Sequence, residues 1–245
     1  MKALLSRPGE KLSDHIWRAY KVFEETFGER LTEGLRRYMI AMIVLHDIAK
    51  ADSKFQECLN SMEEKRASVP HSPLSAFIAY AVTKNAYVTY AIYYHHQDMK
   101  NVFSFSHPGT SFVDIVESSY IKLSSKLESL KDQSYRVLHE LRTHGSDILE
   151  CIDCIYGSLS GGGLKDDILK VLQEFSSSRS EIKNCLEELC QDLWKILKET
   201  DDSDALFEVY YAFRLYYSVL KYCDTVSVFM GDKLGGFSQN KASGI

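Results

Sequence analysis

The chain has no run of apolar residues near the ~18 needed to cross a bilayer. Its opening, MKALLSRPGEKLSDH, meets Pro8, Gly9 and charged residues too early for a signal peptide. A cytoplasmic protein with no membrane partner is the resulting expectation. Positive charge is not in excess: 29 Lys+Arg against 34 Asp+Glu gives a net charge of −5. That argues against tight, non-specific binding of nucleic acid through bulk charge. A local site supplied with bound cations stays open. Six cysteines in 245 residues are too few for a disulfide scaffold. Cys151 and Cys154 form a CxxC, with Cys185 and Cys190 more loosely spaced behind. Both pairs lie in helix-like sequence, where free cysteines on buried faces are a simpler reading than a zinc site. No GxxxxGK[ST] phosphate loop and no internal repeat of fixed period occurs, and alternating strand patterns are scarce.

What remains is helical. Leu12, Ile16, Tyr20, Phe23 and Phe27 recur at three- and four-residue steps, with Gly28 as a stop. Thr32 is a candidate cap for a second helix, and YMIAMIVL ahead of His46 is apolar nearly all round, the pattern of a central, buried helix. Ser72 as N-cap and Pro73 at the first helical position predict a helix start, followed by apolar segments at 74–83 and 86–94. Helical patterns resume at 114–131, 134–142, 147–157, 165–176, 179–198 and 204–230. SHPGTS (106–111) reads as a loop, SGGGLKDD (160–167) as a flexible connection, and 235–245 as a disordered tail. The fold class is all-α.

Five of eight histidines fall in the first hundred residues: His15, His46, His71, His95 and His96. His46 is followed at once by Asp47, in LHDIAK, at the end of the apolar helix. Burying an ionised Asp beside a His is costly without a compensating partner. A metal ion is one such partner, and imidazole with carboxylate suits Mn, Fe, Co, Ni or Zn. Neighbours on a helix diverge by about 100°, so one site receives both His46 and Asp47 only near a helix end, or when two metals share the cleft. His95-His96 poses the same problem. Each histidine alone is more simply a core or surface residue; the set carries more weight than its members. His107, His139 and His144 lie in loop-like or polar surroundings and are read as ordinary.

The series His15, His46-Asp47 with Lys50, His71 in PHSPLSA, His95-His96, and Asp224 with Ser227 in LKYCDTVS resembles the HD phosphohydrolase superfamily. Within it the series is most similar to the HD nuclease of type I CRISPR interference, and it extends over nearly the whole chain. Two departures stand out: HHQDMKN lacks the glycines common after the HH pair, and Cys223 precedes the late Asp where a small residue is usual. The resemblance implies a compact HD-domain fold with a metal-binding cleft, formed as one domain over residues 1–234. Seven candidate ligands exceed what one octahedral ion accepts, which supports two divalent cations (Mn, Fe, Co, Ni or Mg). By resemblance, His15, His46, Asp47 and Asp224 would hold one, and Asp47, His71, His95 and His96 the other. Asp47 would be catalytic as the shared ligand. Lys50 would meet a phosphate or the leaving oxygen, unless it is a solvated helix-end lysine. Ser227 would be a hydrogen-bond partner of Asp224.

The implied activity is cleavage of single-stranded DNA, with RNA the other candidate, by phosphodiester hydrolysis. Lacking a helicase motif, the chain resembles the stand-alone form, with a separate helicase subunit and an RNA-guided surveillance complex as partners. Tyr93, Tyr94, Phe103 and Phe105 flank the HH pair as core residues or, less simply, stacking platforms. An HD enzyme acting on nucleotides or cyclic nucleotides, and a helical interaction module without activity, remain alternatives.

Overall fold

The computed structural model describes residues 3–60, 70–97, 120–160, 163–198 and 203–230, and these are predominantly helical. The predicted loop at 106–111, Phe103, Phe105, His107 and the tail at 235–245 lie outside the described residues. Among the described residues, no helix is long and apolar enough to cross a membrane.

The chain starts with an element that the periodicity did not predict. Strands β1 (Leu5–Arg7) and β2 (Glu10–Lys11) pair antiparallel around a Pro8-Gly9 turn. Gly9 has φ +78°, a conformation glycine adopts without steric cost. Strands this short leave no alternating signal to read. Gln56, almost fully buried, ties the hairpin to the rest: its side chain accepts from Leu5 N and donates to the Leu5 and Lys50 carbonyls, at 2.7–2.8 Å.

Helix α1 (Leu12–Phe27) follows at once, and α2 (Glu33–Leu45) is the centre of the molecule. Every residue from Met39 to Leu45 is buried. A helix apolar on all sides is stable only when other helices cover it. Here α2 packs against α1, α4 (Ser72–Thr83), α5 (Ala86–Tyr94), α7 (Ser146–Ser160) and α10 (Ser203–Phe229). Helix α3 (Ser53–Asn60) follows a 3-10 turn at Ile48–Ala51, and α6 (Leu127–His144), α8 (Leu164–Ser177) and α9 (Arg179–Lys198) form an outer layer on α4 and α7. Helix α10 returns the chain to α1, α2 and α5.

Two boundaries differ from the sequence reading. His71, not Ser72, is the cap residue of α4, and Pro73 stands one place further in. The expected break between 131 and 134 is absent; α6 runs through it, and the turn lies at 125–126. The polar KDQS stretch looks like a break, but Gln133 and Ser134 are buried, and Gln133 Nε2 donates to the Pro70 carbonyl at 3.1 Å. The connection at 160–167 is also shorter than expected, because α7 reaches Ser160 and α8 starts at Leu164.

One ion pair pins the outer layer to the centre. Asp52 is fully buried and receives Arg136 of α6 through Nε and Nη2, at 2.7 and 2.8 Å. The same carboxylate accepts from Lys54 N at the start of α3. Deleting one partner of a buried pair strands the other charge, at a cost of about 3 kcal/mol or more. Arg136→Ala is therefore expected to lower the unfolding free energy by about 3 kcal/mol in urea titrations. Arg136→Lys is expected to recover only part of it, since an ammonium cannot make the two-point contact.

A candidate metal centre at the ends of three helices

Helix α2 ends at Leu45, and His46 still has helical backbone angles, φ −57° and ψ −33°. Asp47 does not: φ −113° and ψ 6° turn the chain into the 3-10 segment. This bend brings two consecutive side chains to one place. Lys50 N donates to the Asp47 carbonyl at 2.8 Å, and Ala49 N donates to Ser75 Oγ of α4 at 3.2 Å, so the turn is clamped from both sides. The HH pair is built the same way, with His95 closing α5.

Helix ends also set the tautomers. The last carbonyls of a helix lack partners within it. His46 Nδ1 lies 2.7 Å from the Ile43 carbonyl and His95 Nδ1 lies 2.5 Å from the Ile92 carbonyl. A carbonyl only accepts, so each Nδ1 carries a proton, and in the neutral imidazole the Nε2 lone pair is the one left for a cation. Both Nε2 atoms face Asp47, at 3.4 Å to Oδ2 from His46 and 3.6 Å to Oδ1 from His95.

Around Asp47 the seven predicted ligands converge in two groups. Asp47, His71, His95 and His96 form one; His15, His46 and Asp224 form the other; within each, the ligand atoms lie within 4.8 Å of one another. Asp47 Oδ1 faces the first group, 3.0 Å from His71 Nε2. Asp47 Oδ2 faces the second, 3.3 Å from His15 Nε2. Within the second group, His15 Nε2 lies 3.4 Å from His46 Nε2 and 3.3 Å from Asp224 Oδ1. Nitrogen and oxygen ligands ~2.0–2.2 Å from a shared ion stand roughly 3.0–3.6 Å apart. Most of the separations here fall in that range; His71 to Asp47 lies at its short end, and His71 and His96, at 2.7 Å, stand closer than it. Both Asp47 oxygens are buried and make no directed hydrogen bond. A buried carboxylate in that condition needs positive charge, and the donor set is one that divalent cations accept. The residues therefore fit a metal centre.

Lys50 supplies one positive charge. Its Nζ stands 2.6 Å from Asp47 Oδ2, and its side chain is largely buried, so it is not a solvated helix-end lysine. Burial opposes ionisation of Asp47, but Lys50, His46 and His15 outweigh it and hold the carboxyl well below the usual carboxylate range. Asp224 is likewise lowered: burial opposes its ionisation, but His15 and His46 prevail. Burial disfavours protonated His15, yet the Asp224 and Asp47 carboxylates prevail and raise its pKa. At the other group burial wins. It lowers His71 despite Asp47, and, with His95 and His71 alongside, it pushes His96 down to about 3. The His71 and His96 Nε2 atoms are 2.7 Å apart, so at most one proton fits between them.

Ser227 does not meet the expected partner. It is fully buried and donates to the Asp224 backbone carbonyl at 2.7 Å, not to the carboxylate, and so steadies the helix turn that carries Asp224. Tyr94 is buried, as a core residue would be. The cysteines do not gather: Cys151, Cys185 and Cys223 are buried and Cys154 is exposed, all are free, and none joins a metal-ligand group among the described residues. Sequence reasoning missed two supports of the HH turn. Lys221 Nζ donates to the His95 carbonyl at 3.0 Å, and Tyr217 donates to the Gln97 carbonyl. Tyr217, Lys221 and Asp224 are spaced four and three apart, one face of α10, so the helical period was a usable signal.

Comparison of the chain with family models, with curated proteins and with solved structures finds no match.

The lowered imidazoles give the metal-free protein an acid-sensitive site. Below the ordinary pKa of 6.5, His71 and His96 stay neutral in the fold while the unfolded chain takes up protons there. Their contribution is complete above pH 6.5 and is lost as pH falls towards the folded values. Raised His15 acts in the opposite sense but is one group against two. Thermal melts in EDTA are expected to show a falling Tm between pH 7 and pH 4.5, with a flatter dependence in His96→Gln. A Tm that rises on acidification would contradict this electrostatic picture.

Proposed function

We propose that the protein is a metal-dependent phosphodiesterase of the HD type, a nuclease for single-stranded DNA. One observation carries the reading: two imidazole-carboxylate groups meet at a single buried carboxylate, Asp47, whose two oxygens face opposite groups. Sites of this kind suit two cations sharing a ligand, with further positions left for substrate. His15, His46 and Asp224 with Asp47 Oδ2 would hold one ion; His71, His95 and His96 with Asp47 Oδ1 would hold the other. Such ions supply Lewis-acid chemistry, lowering the pKa of a water and neutralising charge on phosphoryl oxygens.

The chain's own residues do the rest. Asp47 joins the two halves and stays ionised. His46 and His95 would offer Nε2 to the ions, because backbone carbonyls hold their Nδ1 protons. Lys50 places an ammonium beside the shared carboxylate, where a phosphate would also meet it. His96 and Asp224 are the members with the most solvent access, so substrate approaches from their side. With a net charge of −5, the protein would depend on that local site, not on bulk attraction, to hold a strand. A separate helicase and an RNA-guided complex are the partners that would deliver a single strand. CRISPR interference is the setting that the order of motifs suggests.

Incubation with single-stranded DNA and Mn²⁺, Co²⁺ or Ni²⁺ is expected to give cleavage, and Asp47→Ala to reduce it by at least 100-fold. RNA, dNTPs and cyclic dinucleotides assayed alongside separate this reading from a nucleotide phosphohydrolase, which would turn over the small substrates and spare DNA. Metal-loaded protein inert towards all of these, or indistinguishable from Asp47→Ala, would overturn the proposal.

A further inference from the structure

His15 differs from the other two fully enclosed imidazoles in how its far nitrogen is served. His46 and His95 close helices and donate Nδ1–H to a carbonyl three residues back. His15 stands in the first turn of α1, and no carbonyl takes this part. Its Nδ1 is buried and makes no hydrogen bond. An anion faces it instead: Glu10 Oε2, 3.6 Å away.

Glu10 is an unusual residue for a two-residue strand. It is buried, and its carboxylate is gripped on all sides. Ser6 Oγ donates to Oε2 at 2.5 Å, Arg7 approaches at 2.7 Å through Nε and 3.0 Å through Nη2, and Arg18 of α1 pairs with Oε1. Two guanidinium groups stabilise the anionic form and fix its position. The Pro8-Gly9 turn, with Gly9 at positive φ, sets Glu10 opposite Arg7 and directly ahead of α1.

We propose that Glu10 is a positioning residue for the His15, His46 and Asp224 half of the site. This inference rests on the metal reading above. Glu10 touches neither substrate nor the proposed ions. At 3.6 Å its contact is too long for a hydrogen bond, so it acts through charge. A fixed carboxylate beside Nδ1 favours the proton there and leaves the Nε2 lone pair for Asp47 and Asp224 to share with a cation. It replaces the helix-end carbonyl that His15 lacks. Such partners of ligand histidines typically matter 10–100-fold in metal affinity.

A purely structural Glu10, linking the hairpin to α1 through Arg18, predicts something different, and two measurements separate the cases. In Zn²⁺-loaded wild-type protein labelled with ¹⁵N-histidine, long-range ¹H–¹⁵N spectra are expected to show His15 protonated at Nδ1. A proton at Nε2, or zinc on Nδ1, overturns the inference without any variant. In calorimetric Zn²⁺ titrations, Glu10→Gln is expected to weaken one of two bound ions 10–100-fold and leave the other unchanged, with Glu10→Asp recovering part of the loss. Glu10→Gln that binds both ions like wild type while only its Tm falls makes Glu10 structural and overturns the inference. Wild-type protein that takes up no Zn²⁺ overturns the metal reading itself, and this inference with it.

Discussion

Everything around the candidate site follows from one buried carboxylate. Asp47 is almost wholly excluded from water, and its oxygens face imidazole nitrogens, two of them on rings whose Nδ1 is held by a backbone carbonyl. In a low-dielectric interior this is an unstable arrangement unless positive charge is brought to it. Lys50 supplies part on one side. The remaining groups form two sets able to hold metal ions, and imidazole with carboxylate is a donor set that suits divalent cations.

The architecture makes that concentration of ligands possible. A helix interior spends its carbonyls on its own hydrogen bonds and splays neighbouring side chains apart. Helix ends do neither. Two apolar helices, α2 and α5, end beside each other, each with a histidine whose Nδ1 takes a carbonyl of the last turn. The cap position of α4 adds His71, the first turn of α1 adds His15, and α10 brings Asp224 back from the far end of the chain. The outer layer of α6, α8 and α9 contributes no ligand but holds the inner turns in place, through Arg136 on Asp52 and Gln133 on the Pro70 carbonyl.

Much of this was legible in the residues. The apolar run ending at His46, the stop at Gly28 and the paired histidines closing 86–94 have strong periodic signals, and each marks where the structure turns. Helix-end placement and histidine density pointed to six of the seven candidate ligands, while Asp224 entered only through the motif order that resembles HD phosphohydrolases. What escaped was short or depended on distance in space. Strands of three and two residues carry no readable period. KDQS looked like a break because polarity alone does not reveal that Gln133 reaches inward. Ser227 stood at the right spacing from Asp224, yet its hydroxyl satisfied the backbone first. Glu10 gave no sign, since its relation to His15 arises only once the hairpin folds against α1.

The central claim is that Asp47 sits between two cations. Crystals soaked in Mn²⁺ and measured at the manganese absorption edge test this without reference to substrate or turnover. The account requires two anomalous peaks, one on each side of Asp47, separated by about 3.5–4 Å, the first ringed by His15, His46 and Asp224 and the second by His71, His95 and His96. A single peak held by all seven side chains, or none near Asp47 at saturating Mn²⁺, would contradict it.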